Sequence, residues 1–244
     1  MEENQVPASP EPGRRAEKEA YAVPWSSRDT WTGVILLVLI EILLIVIASV
    51  IPRAQMMQNA GVAIAELAYL LPIVLIFAWR GIHWKHLGFG KFSWNTMGLG
   101  CGLLIAGYAI IILHNAVLYA LGVDTQGEAI FKEFEKLGSP IWLFFAGVLF
   151  APLVEEIFFR GFLFQGFRRK YGWVNAMLLS SAIFAAAHLD PVALIPTFIL
   201  GSVLAYVYHK SNSVWPGIIL HFLVNAFGLC SAYALTQFPN LIPS

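Results

Sequence analysis

The chain has 244 residues, 58% of them hydrophobic and only 12% charged, where a soluble domain carries roughly one-quarter charged residues. Its formal net charge of +0 argues against a strongly basic nucleic-acid-binding surface, and no nucleic-acid partner is expected. The two cysteines, Cys101 and Cys230, lie in apolar segments without CxxC or zinc-ligand spacing, which argues against a disulfide framework and a structural zinc site.

In chain order, residues 1–30 stand apart from the rest. Met1 to Ala20 mixes Glu, Pro, Arg and Lys with almost no large apolar residues, the composition of a disordered cytoplasmic tail. Its charged region is too long for a secretory signal, and the apolar run that follows is long enough to span, so it reads as an anchor that stays in place. Residues 31–244 are expected to form the transmembrane domain. A helix needs about 20 apolar residues to cross the hydrocarbon core. On that criterion spans are expected near 32–51, 61–79, 96–121, 140–165, 174–190, 192–208 and 214–236. The fifth and sixth are short and separated by Asp190-Pro191, which predicts a tight turn. No stretch alternates as a strand does, and open sheets cannot face lipid. The predicted fold is all-α, a polytopic helical bundle of about seven transmembrane helices.

The connection 122–139 places Ile130, Phe131 and Phe134 at helical spacing, which fits either a short amphipathic helix on the membrane surface or a solvated loop. Lys and Arg then orient the chain. With the N-terminus cytoplasmic, the inner side holds 11 of them: Arg14, Arg15, Lys18, Arg28, Arg80, Lys85, Lys91, Arg168, Arg169, Lys170 and Lys210. The outer side holds 3, Arg53, Lys132 and Lys136, with Arg160 left out as internal. That asymmetry predicts an integral membrane protein with a cytoplasmic N-terminus.

Polar residues inside the apolar spans are where chemistry is expected, because each ionised side chain in hydrocarbon costs at least about 2.5–3.5 kcal/mol. Glu155 and Glu156 are adjacent, with Arg160 four residues after the second. On an α-helix the two carboxylates point about 100° apart and cannot both face one spot. Glu156 and Arg160 are spaced i,i+4 with the acid first, the favourable order for an ion pair. This predicts that Glu156 holds Arg160 while Glu155 faces a cavity. Glu156 lies 16 residues before the turn at Gly172 and His188 lies 16 after it, so the two sit level about 24 Å up an antiparallel hairpin. Phe184, one turn before His188, is expected to pack near its imidazole, and His221 and Asn225 share a face of the last helix. Taken singly these features have plainer readings, an interfacial ion pair, a helix-end histidine and an interhelical polar contact. Glu41, Glu66 and His114-Asn115 are expected to pair with one another or to line the cavity without being catalytic. Gly61, Gly98, Gly100, Gly102 and Gly107 are expected to let helices approach closely.

Glu155-Glu156-x-x-x-Arg160, Phe184-x-x-x-His188 and His221-x-x-x-Asn225, in that order on separate apolar segments across about residues 140–230, resemble the three motifs of the CPBP intramembrane proteases. That family includes the type II CAAX prenyl endopeptidases and bacterial bacteriocin-processing and self-immunity proteins. The resemblance implies an endopeptidase in which Glu155 activates water with His188 as its partner. His221 and Asn225 would donate to the oxyanion, and Glu156 and Arg160 would form the supporting pair. The family has also been described as zinc-dependent, which would make Glu155, His188 and His221 the metal candidates. No HExxH spacing is present, and the glutamate-type reading, which requires no cofactor, is preferred.

Two other classes stay open at this stage, a non-catalytic membrane scaffold of the same family and an ion-coupled transporter. No similarity between the two halves of the chain supports the transporter. The expected partners are membrane lipids and a peptide or lipidated-protein substrate, either prenylated and CAAX-type or bacteriocin-like. The compact chain and short loops point to a bacterial member in the cell membrane.

Overall fold

The structure is a computed structural model that describes residues 22–50, 66–128, 130 and 141–238. Among these residues all regular structure is helical and there is no strand, as the hydropathy pattern predicts. The predicted tail at 1–20, Gly61, Phe131 and Phe134 lie outside the described residues.

Helix α1 is Ser27–Val50. It opens on a reciprocal cap: Ser26 donates from both its backbone N–H and its hydroxyl to Asp29 Oδ2 at 2.8 Å, while the Asp29 N–H donates to Ser26 Oγ at 3.2 Å. The second predicted span is helical at 66–68, turns at 69–70, and resumes as α2, Leu71–Arg80, with Pro72 in its first turn. Arg80 at its end reaches back to Asp29 at 2.7 Å and ties the α1 start to the α2 end. A short 3-10 turn, Trp84–Leu87, leads to α3, Trp94–Ala120.

The fourth rod, α4, runs through 141–171 and is not a uniform α-helix. It widens to π geometry over Phe145–Phe150 and again over Glu156–Phe164. The first widening ends just before Pro152, whose missing N–H cannot support a regular ladder there. Gly172, at φ 79°, turns the chain into α5, Trp173–Ala187. The predicted tight turn follows. Leu189 adopts φ 52° and Asp190 Oδ1 accepts the Val192 N–H at 3.0 Å. Helix α6, Leu194–Ser211, returns, and α7, Val214–Gln237, starts behind a Ser213 N-cap.

Helices α1, α3 and α7 are each long and apolar enough to cross a membrane. The α1 residues Ile35, Leu39, Leu43 and Val46 are exposed, the lipid-facing surface expected of such a helix. Exposed Trp94 and Tyr119 mark the two ends of α3, where amphipathic rings favour the interface. The chain is an integral membrane helical bundle.

Lipid is as apolar as leucine, so tight packing and internal polar contacts hold such a bundle together. Helix α6 is central, packed against α3, α5 and α7. Gly100 and Gly107 permit this, since a Cβ at Gly107 would sit 2.9 Å from Ile199 and one at Gly100 would meet Leu220. Gly98 and Gly102 face open space instead, so only two of the predicted packing glycines act that way among the described residues.

One end of the bundle collects the basic connections. Arg169 donates to the Val23 carbonyl, Gln165 to that of His86, and Arg168 to Asn212 Oδ1, each at 3.0–3.1 Å. The Val214 N–H meets the Gly88 carbonyl at 2.9 Å. Inward of these contacts lies an aromatic layer of Trp25, Phe77, Phe158, Phe162, Phe164 and Phe167, all buried.

Candidate active site

Four elements bring the predicted site together. Glu155 and Glu156 sit at the junction where α4 widens from α to π geometry, and both are buried. Arg160 Nη1 donates to Glu156 Oε1 at 2.6 Å, the i,i+4 pair anticipated from spacing. Its Nη2 donates to the Gly201 carbonyl of α6 at 3.1 Å, and its guanidinium lies 4.5 Å from the Phe184 ring centroid. With side chains 0% and 1% exposed, this pair is fully removed from solvent and lipid, where its Coulomb attraction is strongest.

His221 stands between the two glutamates. Its Nδ1 is 3.3 Å from Glu156 Oε1 and its Nε2 is 3.6 Å from Glu155 Oε2. The two carboxylates therefore do face one group, contrary to the expectation from helical angles. An imidazole carries its two nitrogens on different sides of the ring, so it fills the angle between two side chains that diverge from adjacent residues. The histidine in contact with Glu155 is accordingly His221, whereas the sequence reading paired Glu155 with His188.

His188 follows the last turn of α5 and lines the same cavity as Glu155, His221 and Asn225. Its Nδ1 is 2.9 Å from the Phe184 carbonyl. A carbonyl only accepts, so Nδ1 carries the proton, and in the neutral ring Nε2 is the lone-pair nitrogen. The Phe184 ring packs edge-on against His188 at 4.7 Å and His221 at 5.8 Å between centroids, so one phenylalanine contacts both imidazoles and Arg160. Asn225, one turn after His221, donates from Nδ2 to the Gly147 carbonyl at 2.8 Å, which fixes its amide at the cavity wall.

These groups meet a cavity of about 720 Å³ whose lining is mostly apolar. Glu155 Oε2 and Glu156 Oε2 are both buried without a hydrogen-bond partner within the protein. Beside Glu156 Oε2 is Gly217, where a Cβ would stand 2.5 Å from that oxygen. Among the described residues no three His, Cys, Asp or Glu side chains gather closely enough to hold a metal ion. Glu155, His188 and His221 are therefore not gathered as a zinc ligand set in this arrangement.

The lesser polar residues divide. Glu66 lines the cavity and has a buried Oε2 without a partner, while Glu41 accepts from the Tyr69 hydroxyl. His114 and Asn115 contact each other at 3.3 Å, as expected. Gly147, Gly201 and Gly217 were not picked out from sequence. The last had a signal, a glycine one turn before His221 on the same face. The other two serve through backbone carbonyls, which no residue type announces.

A family described as type II CAAX prenyl endopeptidase Rce1-like matches residues 137–227, the stretch that carries all three motifs. The UPF0177 protein YxdF of Lactococcus lactis is 30% identical over 185 residues, covering 71% of this chain and 98% of that protein. The membrane-embedded CAAX protease MroQ of Staphylococcus aureus is 32% identical over 137 residues, 50% of this chain and 54% of that protein. The putative membrane peptidase YdiL of Bacillus subtilis is 25% identical over 138 residues, 54% of this chain and 57% of that protein. The chain thus spans little more than half the length of the last two. No solved structure matches.

Proposed function

The chain belongs to the CPBP family of intramembrane proteases, and on that premise we propose that it is an endopeptidase that hydrolyses a membrane-associated peptide with water activated by Glu155. One observation carries this reading: the buried Glu155 Oε2, which makes no hydrogen bond within the protein, lies in a cavity it shares with His188, His221 and Asn225. Glu155 takes a proton from water as the water oxygen bonds to the scissile carbonyl carbon. The tetrahedral intermediate collapses when the carbon–nitrogen bond breaks, and the proton passes from Glu155 to the departing amine.

His188 supports the water through Nε2, the nitrogen that its bond to the Phe184 carbonyl leaves free. His221 Nε2, at 3.6 Å from Glu155, is beyond a committed hydrogen bond; with its Nδ1–H directed at Glu156, the ring donates to the developing oxyanion through Nε2–H as the imidazolium. Asn225 spends one amide hydrogen on Gly147 and has a second for the same oxygen. Removing one such donor typically costs about 2.7–4 kcal/mol of transition-state stabilisation. Glu156 and Arg160 hold the helix and orient His221 from its Nδ1 side. The substrate is a lipidated CAAX-type protein or an unmodified hydrophobic peptide.

The test is cleavage of a prenylated CAAX peptide and an unmodified hydrophobic peptide by detergent-purified protein, wild type beside Glu155→Gln, each with and without a zinc chelator. Cleavage that Glu155→Gln abolishes and the chelator leaves intact is expected. Loss of cleavage with chelator would replace the glutamate-only reading with a metal-assisted one. Absence of cleavage by folded wild-type protein on both peptides would favour the scaffold.

A further inference from the structure

The catalytic residues form the floor of the cavity, and the walls rise from it in one direction only. Helix α4 runs towards the basic end, and its lining residues Leu143 and Gly147 come before Glu155. Helix α7 runs the opposite way, and its lining residues Gly228 and Leu229 come after His221. Helix α6 contributes Pro196 on the near side of Gly201, which holds Arg160. All of these lie on the side of the site away from the basic connections. The lining ends at Gln126, in the connection after α3, and at Asp190, in the α5–α6 turn. On the other side of the floor Phe158, Phe159 and Phe162, each no more than 1% exposed, close the path to the basic end.

The two ends differ in charge. Arg28, Arg80, Lys85, Lys91, Arg168, Arg169, Lys170 and Lys210 lie at or beside the connections joined by the Arg80–Asp29, Arg169–Val23, Gln165–His86 and Arg168–Asn212 contacts. At the cavity end the described charges are Asp124, Glu128 and Asp190. Lys and Arg in short connections are retained on the cytoplasmic side.

Resting on the protease reading above, we infer that the cavity opens to the extracytoplasmic side, so that the substrate is a peptide segment presented at the outer leaflet, either exported or exposed outside its own membrane anchor. A cytoplasmic peptide would have to cross the aromatic layer to reach Glu155. Cleavage therefore follows translocation of the substrate, and the product is released outside.

Accessibility to a membrane-impermeant maleimide tests this without relying on activity. In a background of Cys101→Ser and Cys230→Ser, single cysteines are placed at the cavity mouth (Gln126→Cys, with Asp124→Cys as a second) and at the basic end (Lys85→Cys, with Lys91→Cys as a second). Intact cells expressing each variant are labelled before and after permeabilisation. Mouth cysteines are expected to label fully in intact cells, and basic-end cysteines only after permeabilisation. The reverse pattern, or equal labelling of both ends in intact cells, overturns the inference. The Glu155→Gln cleavage assay in detergent has no sidedness, so failure of the protease reading would register there and not in the labelling.

Discussion

Glu156 and Arg160 meet at 2.6 Å with neither side chain exposed, and their worth is asymmetric. Breaking a buried pair from one side leaves an uncompensated charge and costs about 3–5 kcal/mol. Glu156→Gln is therefore expected to lower the melting temperature in detergent sharply. Adding Arg160→Met to it should recover part of the loss, because the stranded charge is then gone; differential scanning fluorimetry reads both. Gly217→Ala acts on the same carboxylate from α7. Its Cβ would press on Glu156 Oε2, and through it on His221, so turnover is expected to fall about tenfold, equivalent to 1.36 kcal/mol. A fall in kcat with little change in KM distinguishes this displacement from a loss of substrate binding. At this scale the sequence was most informative. An i,i+4 ion pair is fixed by helix geometry, and a lone carboxylate in an apolar run announces its cost whatever surrounds it. The His221 bridge was not legible, because it depends on how α7 packs across α4.

The α5–α6 turn shows what an element contributes. Leu189 holds φ 52°, a left-handed conformation that costs an L-residue about 1–2 kcal/mol, between His188 in the cavity and Asp190 at its mouth. β-Branched side chains tolerate that conformation worst. Leu189→Val is expected to lower both activity and melting temperature, while Leu189→Gly keeps activity; parallel cleavage and melting curves decide it. The Asp190-Pro191 pair made this turn visible in the sequence. The π segments of α4 were not visible, even though Pro152 marks where the first one ends. A proline shows that a ladder bond is missing, and only the surrounding helices determine whether the helix kinks, breaks or widens.

At the scale of the molecule, the cavity separates packing from binding. Gly228 lies on its wall, and a Cβ there would meet nothing within 4 Å. Gly228→Trp is expected to raise KM for peptide substrates with no loss of melting temperature, since it fills substrate space and not a packed contact. An unchanged KM would place the peptide elsewhere in the cavity.

The sequence by itself determined that the chain is an all-helical membrane protein, where its three long apolar helices lie, which end carries the basic residues and which polar residues enter the apolar interior. Each of these is a local property, since hydropathy, spacing and charge act through the cost of transferring one segment or one side chain into lipid. Only the tertiary structure decided that His221 touches both glutamates, that Gly201 and Gly147 offer their carbonyls to Arg160 and Asn225, and that the cavity rises from the site away from the basic connections. Those relations join residues far apart in the chain. They are set by which helix faces meet, through close packing among side chains that are all equally apolar and that hydropathy therefore cannot rank.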